Sequence, residues 1–256
     1  MKLFYKKIGK GAPVILVHGL FGSSDHWLRV AKDLSEHFEV FMPDMRNHGR
    51  SPHDSAMNYY AMAEDLRQFI KFHKISDPIL TGHSMGGKIV MQTVSESPNI
   101  ARGIVVVDMG LKKYPLRHIH YINTMLDVDF DTFSKRSEVS HFFMEKMGNK
   151  NVVQLLLKNL EWKNKNRLGW RLNIQNISEN IDFILDAINC EQKYTKPALF
   201  IRGSNSEYIE DKDIDSIKRC FPSMHLATIT DAGHWVYTDN YNAFYNTLYR
   251  FLKELE

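Results

Sequence analysis

Short apolar runs rich in β-branched residues recur along the chain: Val14 to Val17, Val40 to Met42, Ile79 to Thr81, Ile104 to Val107, Ala198 to Ile201 and Leu226 to Ile229. Runs without polar alternation suit strands covered on both faces. Between several of them the apolar positions change to helical spacing, as in Met62, Leu66, Phe69 and Ile70, which share one helix stripe. Strand then helix, repeated, predicts an α/β chain on a mostly parallel sheet. Two edge strands are expected near Met1 to Gly9, and a final helix from about Ala243 to Leu255.

The alternation stops after Asp108, and residues 111–193 carry helical periodicity with no clear strand before Lys196-Pro197. This predicts a core from residues 1–110 and 194–256 with a helical insertion over 111–193. Within it Val152 to Leu160 and Ile174 to Ile188 read as helices, with breaks at Gly148-Asn149 and Leu168-Gly169. Phe142, Phe143, Met144, Met147, Trp162 and Trp170 are expected either to pack these helices together or to line an apolar pocket. The run Lys158 to Arg167 reads as a solvated helix end and loop. A sharper reading of it is steering of an anionic substrate such as a coenzyme A thioester.

Composition narrows the class. A chain of 256 residues with 43% hydrophobic and 25% charged residues is globular, not collagen-like, coiled-coil or disordered. Its size scales to roughly 11,700 Å² of folded surface. A net charge of +3 is too small to imply nucleic acid. No stretch nears the roughly 18 to 20 apolar residues of a bilayer span. The N-terminal apolar run, Leu3 to Tyr5, is too short for a signal peptide, so the cytoplasm is the default compartment. Cys190 and Cys220 form no CxxC pair or framework, which predicts free thiols in a reducing compartment and no metal site.

The most specific chemistry lies in Gly82-His83-Ser84-Met85-Gly86-Gly87, a G-x-S-x-G pattern between the strand Pro78 to Thr81 and the helical run Lys88 to Glu96. A strand-turn-helix of this kind presents a nucleophilic serine, Ser84, at a helix N-terminus. A serine hydroxyl needs a base, and His234 in Asp231-Ala232-Gly233-His234-Trp235 follows the last predicted strand. Other histidines, among them His73, His118, His120 and His225, read as surface or packing residues. An oxyanion hole needs converging backbone N–H groups. Leu20, in His18-Gly19-Leu20-Phe21-Gly22, and Met85 are the expected donors, with His18 packing beneath the loop.

These segments, together with Asp44-Met45-Arg46-Asn47-His48-Gly49 and Ala232 to Val236, resemble the α/β-hydrolase superfamily and, more narrowly, its bacterial YbfF-type esterases. The resemblance implies an eight-stranded, mostly parallel sheet with a helical cap inserted between strands six and seven. It also implies hydrolysis of a small-molecule carboxylic ester or thioester by an acyl-enzyme on Ser84, without a cofactor. No nucleic acid or membrane partner is expected, and the chain is expected to be a monomer or weak dimer.

Many relatives place the acid in a G-x-x-D turn, where Gly203-Ser204-Asn205-Ser206 has serine. Asp108, ending the strand Ile104 to Val107, is the expected acid, and Glu207 is its rival. The Asp44, Arg46, Asn47, His48 and Ser51 loop is expected to be a hydrogen-bonded turn near the site, and Phe21 and Trp235 to line the acyl pocket. Two alternatives stay open: a Ser-His-Asp lyase of the menaquinone-pathway type, and a non-enzymatic hydrolase-fold ligand receptor.

Overall fold

The computed structural model describes residues 1–116 and 119–256, so His118 lies outside the described residues. Each apolar run forms a strand: β2 (Ala12–Val17), β3 (Phe38–Pro43), β4 (Ile79–His83), β5 (Gly103–Val107), β8 (Ala198–Gly203) and β9 (Met224–Ile229). With β1 (Tyr5–Ile8) they make a sheet ordered β1-β3-β2-β4-β5-β8-β9, parallel except for β1. Among the described residues this sheet has seven strands, not eight. The N-terminal segment supplies one strand where two were expected. Ahead of it the chain is tied by contacts outside any strand ladder, such as Asp44 N–H to the Phe4 carbonyl at 2.8 Å and the Met1 ammonium to Asp65 at 2.8 Å.

Both faces are covered, which explains why the strands are uniformly apolar. Ile15, Val17, Ile104 and Val106 face the helices Tyr59–Phe72 and Met85–Glu96. Val14, Leu16, Val105 and Val107 face Leu28–Leu34 and the closing helix Tyr241–Glu254. The accessible surface, 11578 Å², matches the expectation from chain length.

Between β5 and β8 lie the helices Ile119–Leu126, Arg136–Met147, Lys150–Leu157, Ile174–Glu179 and Ile181–Leu185. The segment is not wholly helical. Leu160–Asn164 (β6) and Arg167–Trp170 (β7) pair antiparallel, so the expected loop over 158–167 and the break at Leu168-Gly169 are instead a hairpin. Its tip residues are solvent-exposed, which leaves no apolar alternation to read as strand. The break at Gly148-Asn149 is present: Gly148 closes one helix in the left-handed conformation, φ 65°, and Asn149 caps the next.

The two cysteines are joined. Cys190 and Cys220 form a disulfide with Cα atoms 5.9 Å apart, fastening the segment before β8 to the end of the helix Ile214–Cys220. The expectation of free thiols was wrong, because pairing across 30 residues depends on tertiary proximity rather than local spacing. The expectation of a reducing compartment loses that support. Among the described residues no helix is long and apolar enough to cross a membrane.

Candidate active site

Ser84 occupies the turn from β4 into the helix Met85–Glu96 at φ 54°, ψ −120°, a conformation held by crowding around it. A Cβ on Gly82 would lie 2.2 Å from the Gly86 carbonyl oxygen, and one on Gly86 would lie 2.3 Å from that of Val17. Only glycine fits either place, so the strained serine is locked at the carboxyl edge of the sheet. Its own N–H donates to the Val107 carbonyl at 3.0 Å.

His234, from the loop after β9, bridges two groups. Its Nε2 is 3.0 Å from Ser84 Oγ and its Nδ1 is 2.8 Å from Asp108 Oδ2. Asp108 follows β5 and is fully buried. It accepts the Gly203 N–H on Oδ1 at 3.1 Å, and the Ser206 hydroxyl on Oδ2. Burial raises its pKa to about 6 despite these donors. Glu207, the rival acid, lies instead in the wall of a cavity beside Ser84.

Two residues that the sequence reading passed over hold His234 in place. The Tyr208 ring stacks on the imidazole with centroids 3.7 Å apart. His83 Nε2 lies 2.9 Å from the His234 carbonyl, which can only accept, so His83 carries its proton on Nε2. Burial keeps His83 neutral by lowering its pKa to about 3.

The loop after β2 brings Leu20 beside Ser84 and Met85. Met85 begins its helix, so its N–H has no intrahelical partner. Among the described residues neither the Leu20 nor the Met85 amide donates to a protein acceptor. Beneath this loop His18 Nε2 accepts the Met45 N–H at 3.0 Å, and His48 Nε2 accepts the Phe21 N–H at 3.2 Å. Asp44 accepts the Ser24 and Arg50 amides at 2.6 and 2.9 Å, and Arg46 pairs with Asp65 at 2.6 Å. The 44–51 loop is thus a buried hydrogen-bonded brace for the loop bearing Leu20.

Two cavities meet at Ser84. The larger, about 320 Å³, is walled by apolar and aromatic residues including Tyr59, Met109, Tyr114, Ile184 and Leu185, with Lys112, Glu207, Glu210 and Lys212 also lining it. The other is a crevice of about 40 Å³ lined by His234, Trp235, Phe21, Leu155 and Leu156. Phe21 and Trp235 therefore stand at the crevice and not the larger cavity. Phe142, Phe143 and Trp162 line neither cavity. Phe143 is fully buried against Trp170, and Trp162 is 55% exposed on the hairpin.

Lys88 is also missed by the motif reading, although it stands directly after Gly86-Gly87. Its buried ammonium donates to the Lys112 carbonyl at 2.9 Å and to the Asp186 carbonyl, gripping both flanks of the 111–193 segment. Burial lowers its pKa to about 7. Among the described residues no group of three or more His, Cys, Asp or Glu is placed to hold a metal ion.

Comparison with known proteins follows the same outline. The sequence pattern of the alpha/beta hydrolase fold matches residues 12–241. The chain is 32% identical over 247 residues to Esterase YbfF of Escherichia coli, covering 95% of this chain and 94% of that one. It is 34% identical over 253 residues to the sn-1-specific diacylglycerol lipase ABHD11 of Danio rerio, covering 96% and 80%. The structure resembles that of a marine microorganism esterase, with TM-score 0.95 and 37% identity over 98% of this chain and 99% of the other.

Proposed function

We propose that this chain, which belongs to the α/β-hydrolase fold family and is a hydrolase of the carboxylesterase class, cleaves its ester or thioester through an acyl-enzyme on Ser84. The observation that carries this reading is the single imidazole of His234, hydrogen-bonded to Ser84 Oγ at 3.0 Å and to Asp108 at 2.8 Å. Asp108 accepts from Nδ1–H and so leaves Nε2 bare to take the serine proton. Oγ attacks the carbonyl carbon, and the resulting oxyanion accepts the N–H groups of Leu20 and Met85. His234 then passes its proton to the leaving oxygen or sulfur. Water repeats the sequence on the acyl-enzyme, returning Ser84 and releasing the acid.

In this reading residues 111–193 roof the nucleophile. Tyr114, Ile184 and Leu185 would exclude water from the larger cavity and strengthen the electrostatics at the oxyanion. The test is covalent. A fluorophosphonate should label Ser84, located by mass spectrometry of the peptide. Ser84→Ala should abolish labelling and lower kcat on p-nitrophenyl esters by about 10⁴ or more. Turnover in the wild type separates this reading from a non-enzymatic receptor. Unchanged turnover in Ser84→Ala would refute it.

A further inference from the structure

The two cavities beside Ser84 differ in which catalytic groups they expose. The larger is lined by Met85, Leu20 and Ser84 but not by His234, and the crevice by Ser84, Leu20 and His234 but not by Met85. His234 hands its proton to the departing heteroatom, so the leaving group must lie on the imidazole side of Ser84. The crevice continues outward. It shares His26, Leu155, Trp235 and Tyr237 with a groove of about 270 Å³, whose other walls are largely polar, including Arg29, Asn151, Gln154, Lys158 and Asp239.

His26 stands where crevice and groove join, with its Nδ1 turned back on Ser23. Nδ1 accepts the Ser23 N–H at 2.9 Å, the return arm of a capping box at the start of the turn Ser24–Trp27, and this contact is shorter than the 3.3 Å to the Ser23 carbonyl. A neutral imidazole that accepts at Nδ1 carries its proton at Nε2, and burial keeps the ring neutral, with its pKa lowered to about 3. Nε2 is buried and has no partner. Among the described residues walling this passage, it is the one polar side-chain atom in that condition. Buried donors are nearly always satisfied, so an unpartnered one at this junction calls for a partner that the described chain does not supply.

We propose that the leaving group departs through the crevice, that the acyl chain occupies the larger cavity, and that His26 Nε2–H selects leaving groups carrying a second acceptor oxygen beyond the scissile bond. This rests on the acyl-enzyme reading of Ser84 and His234. The substrate class is an ester of an oxygenated alcohol, a glycol or polyol derivative, in preference to one of a plain alkyl alcohol.

The test uses two butyrate esters that differ by one atom, 2-methoxyethyl butyrate and n-butyl butyrate, in which an ether oxygen replaces a methylene. The ratio of their kcat/KM values is compared between wild type and variants, so that intrinsic reactivity cancels. His26→Phe should lower the ratio about fivefold, the worth of one neutral hydrogen bond. His26→Gln, which keeps a donor near Nε2, should retain part of it. A merely structural role for His26 would lower both esters equally and leave the ratio unmoved, which overturns the proposal. Leu155→Trp gives a second arm if the His26 variants fold poorly. It should raise KM for both esters relative to methyl butyrate and leave acyl-length preference unchanged, whereas a shifted acyl-length preference would show the sides to be reversed. Loss of hydrolysis in Ser84→Ala together with an unmoved ratio overturns this inference alone. Retained hydrolysis in Ser84→Ala overturns the reading beneath it as well.

Discussion

Replacing Asp108 by Asn should leave the site intact, stop the chemistry and stabilise the fold. Asn can still accept the Gly203 N–H through Oδ1. Its amide, in place of Oδ2, would donate to Ser206 Oγ and to His234 Nδ1, the two groups that Oδ2 now meets. With Nδ1 forced to accept, the imidazole proton moves to Nε2, and His234 can no longer take the proton of Ser84. Such a change costs on the order of 10⁴ in kcat. The stability effect runs the other way. Burial raises the Asp108 pKa from 3.8 to about 6, a gap worth about 3 kcal/mol.

The native state therefore binds this proton more tightly than the unfolded chain, and stability falls as pH rises from about 4 through 6. Below pH 4 the carboxyl is neutral in both states and the cost vanishes. Asn carries no such cost. After allowance for the lost charge-assisted bonds, the variant should gain about 1–2 kcal/mol at pH 8, or about 3–6 °C in Tm for a chain of this size. Thermal unfolding at pH 4, 6 and 8, beside kcat on a p-nitrophenyl ester, checks both. A variant that keeps its activity and melts lower at pH 8 would refute the reasoning and make Asp108 a structural strand-end residue.

Three further outcomes are expected. In the larger cavity each methylene buried by a longer acyl chain should raise kcat/KM about fourfold until the space ends, and Ile184→Trp should move that cutoff to shorter chains while Phe142→Ala leaves it alone. Replacing Cys190 and Cys220 together by Ser, which opens a link across 30 residues, should cost up to about 3–4 kcal/mol in denaturant unfolding. Lys88, whose burial lowers its pKa from 10.5 to about 7, binds its proton less tightly in the native state, so wild-type stability should rise between pH 7 and 10. Lys88→Met should lack that rise and show faster hydrogen exchange in the segments flanking residues 112 and 186.

What the sequence discloses follows from how locally each feature is encoded. Ser84 is legible because its strained turn needs glycine at 82 and 86, a requirement confined to five consecutive residues. The buried strands are legible because both faces are covered. The hairpin Leu160–Trp170 is not, since Glu161 through Arg167 lie half or fully exposed and show no period-two apolar pattern. The cavities are illegible for another reason. Tyr59, Met109 and Ile184 come from three separate stretches of the chain, and nothing in their own neighbourhoods distinguishes them from ordinary core residues. Phe142, Phe143 and Trp162 stand out in the sequence by size alone, and size does not encode direction.

In the acyl-enzyme mechanism proposed above, the acid follows β5 and a serine stands at position 206 after β8. β5 and β8 are adjacent and parallel, with Val107 opposite Ile201, so the residues just past each strand end reach the same point above the sheet. Asp108 crosses toward that point because its backbone takes φ 51°, and its N–H is held by the Ile201 carbonyl at 2.7 Å. A carboxylate at 206 as well would set two like charges within one hydrogen-bonded site, and one of them would be driven to protonate. Serine avoids this. Its hydroxyl donates to Asp108 Oδ2, the same oxygen that receives His234, and helps keep the carboxylate charged against the pull of burial. In that mechanism the turn after β8 has a supporting task, as a neutral donor to the carboxylate.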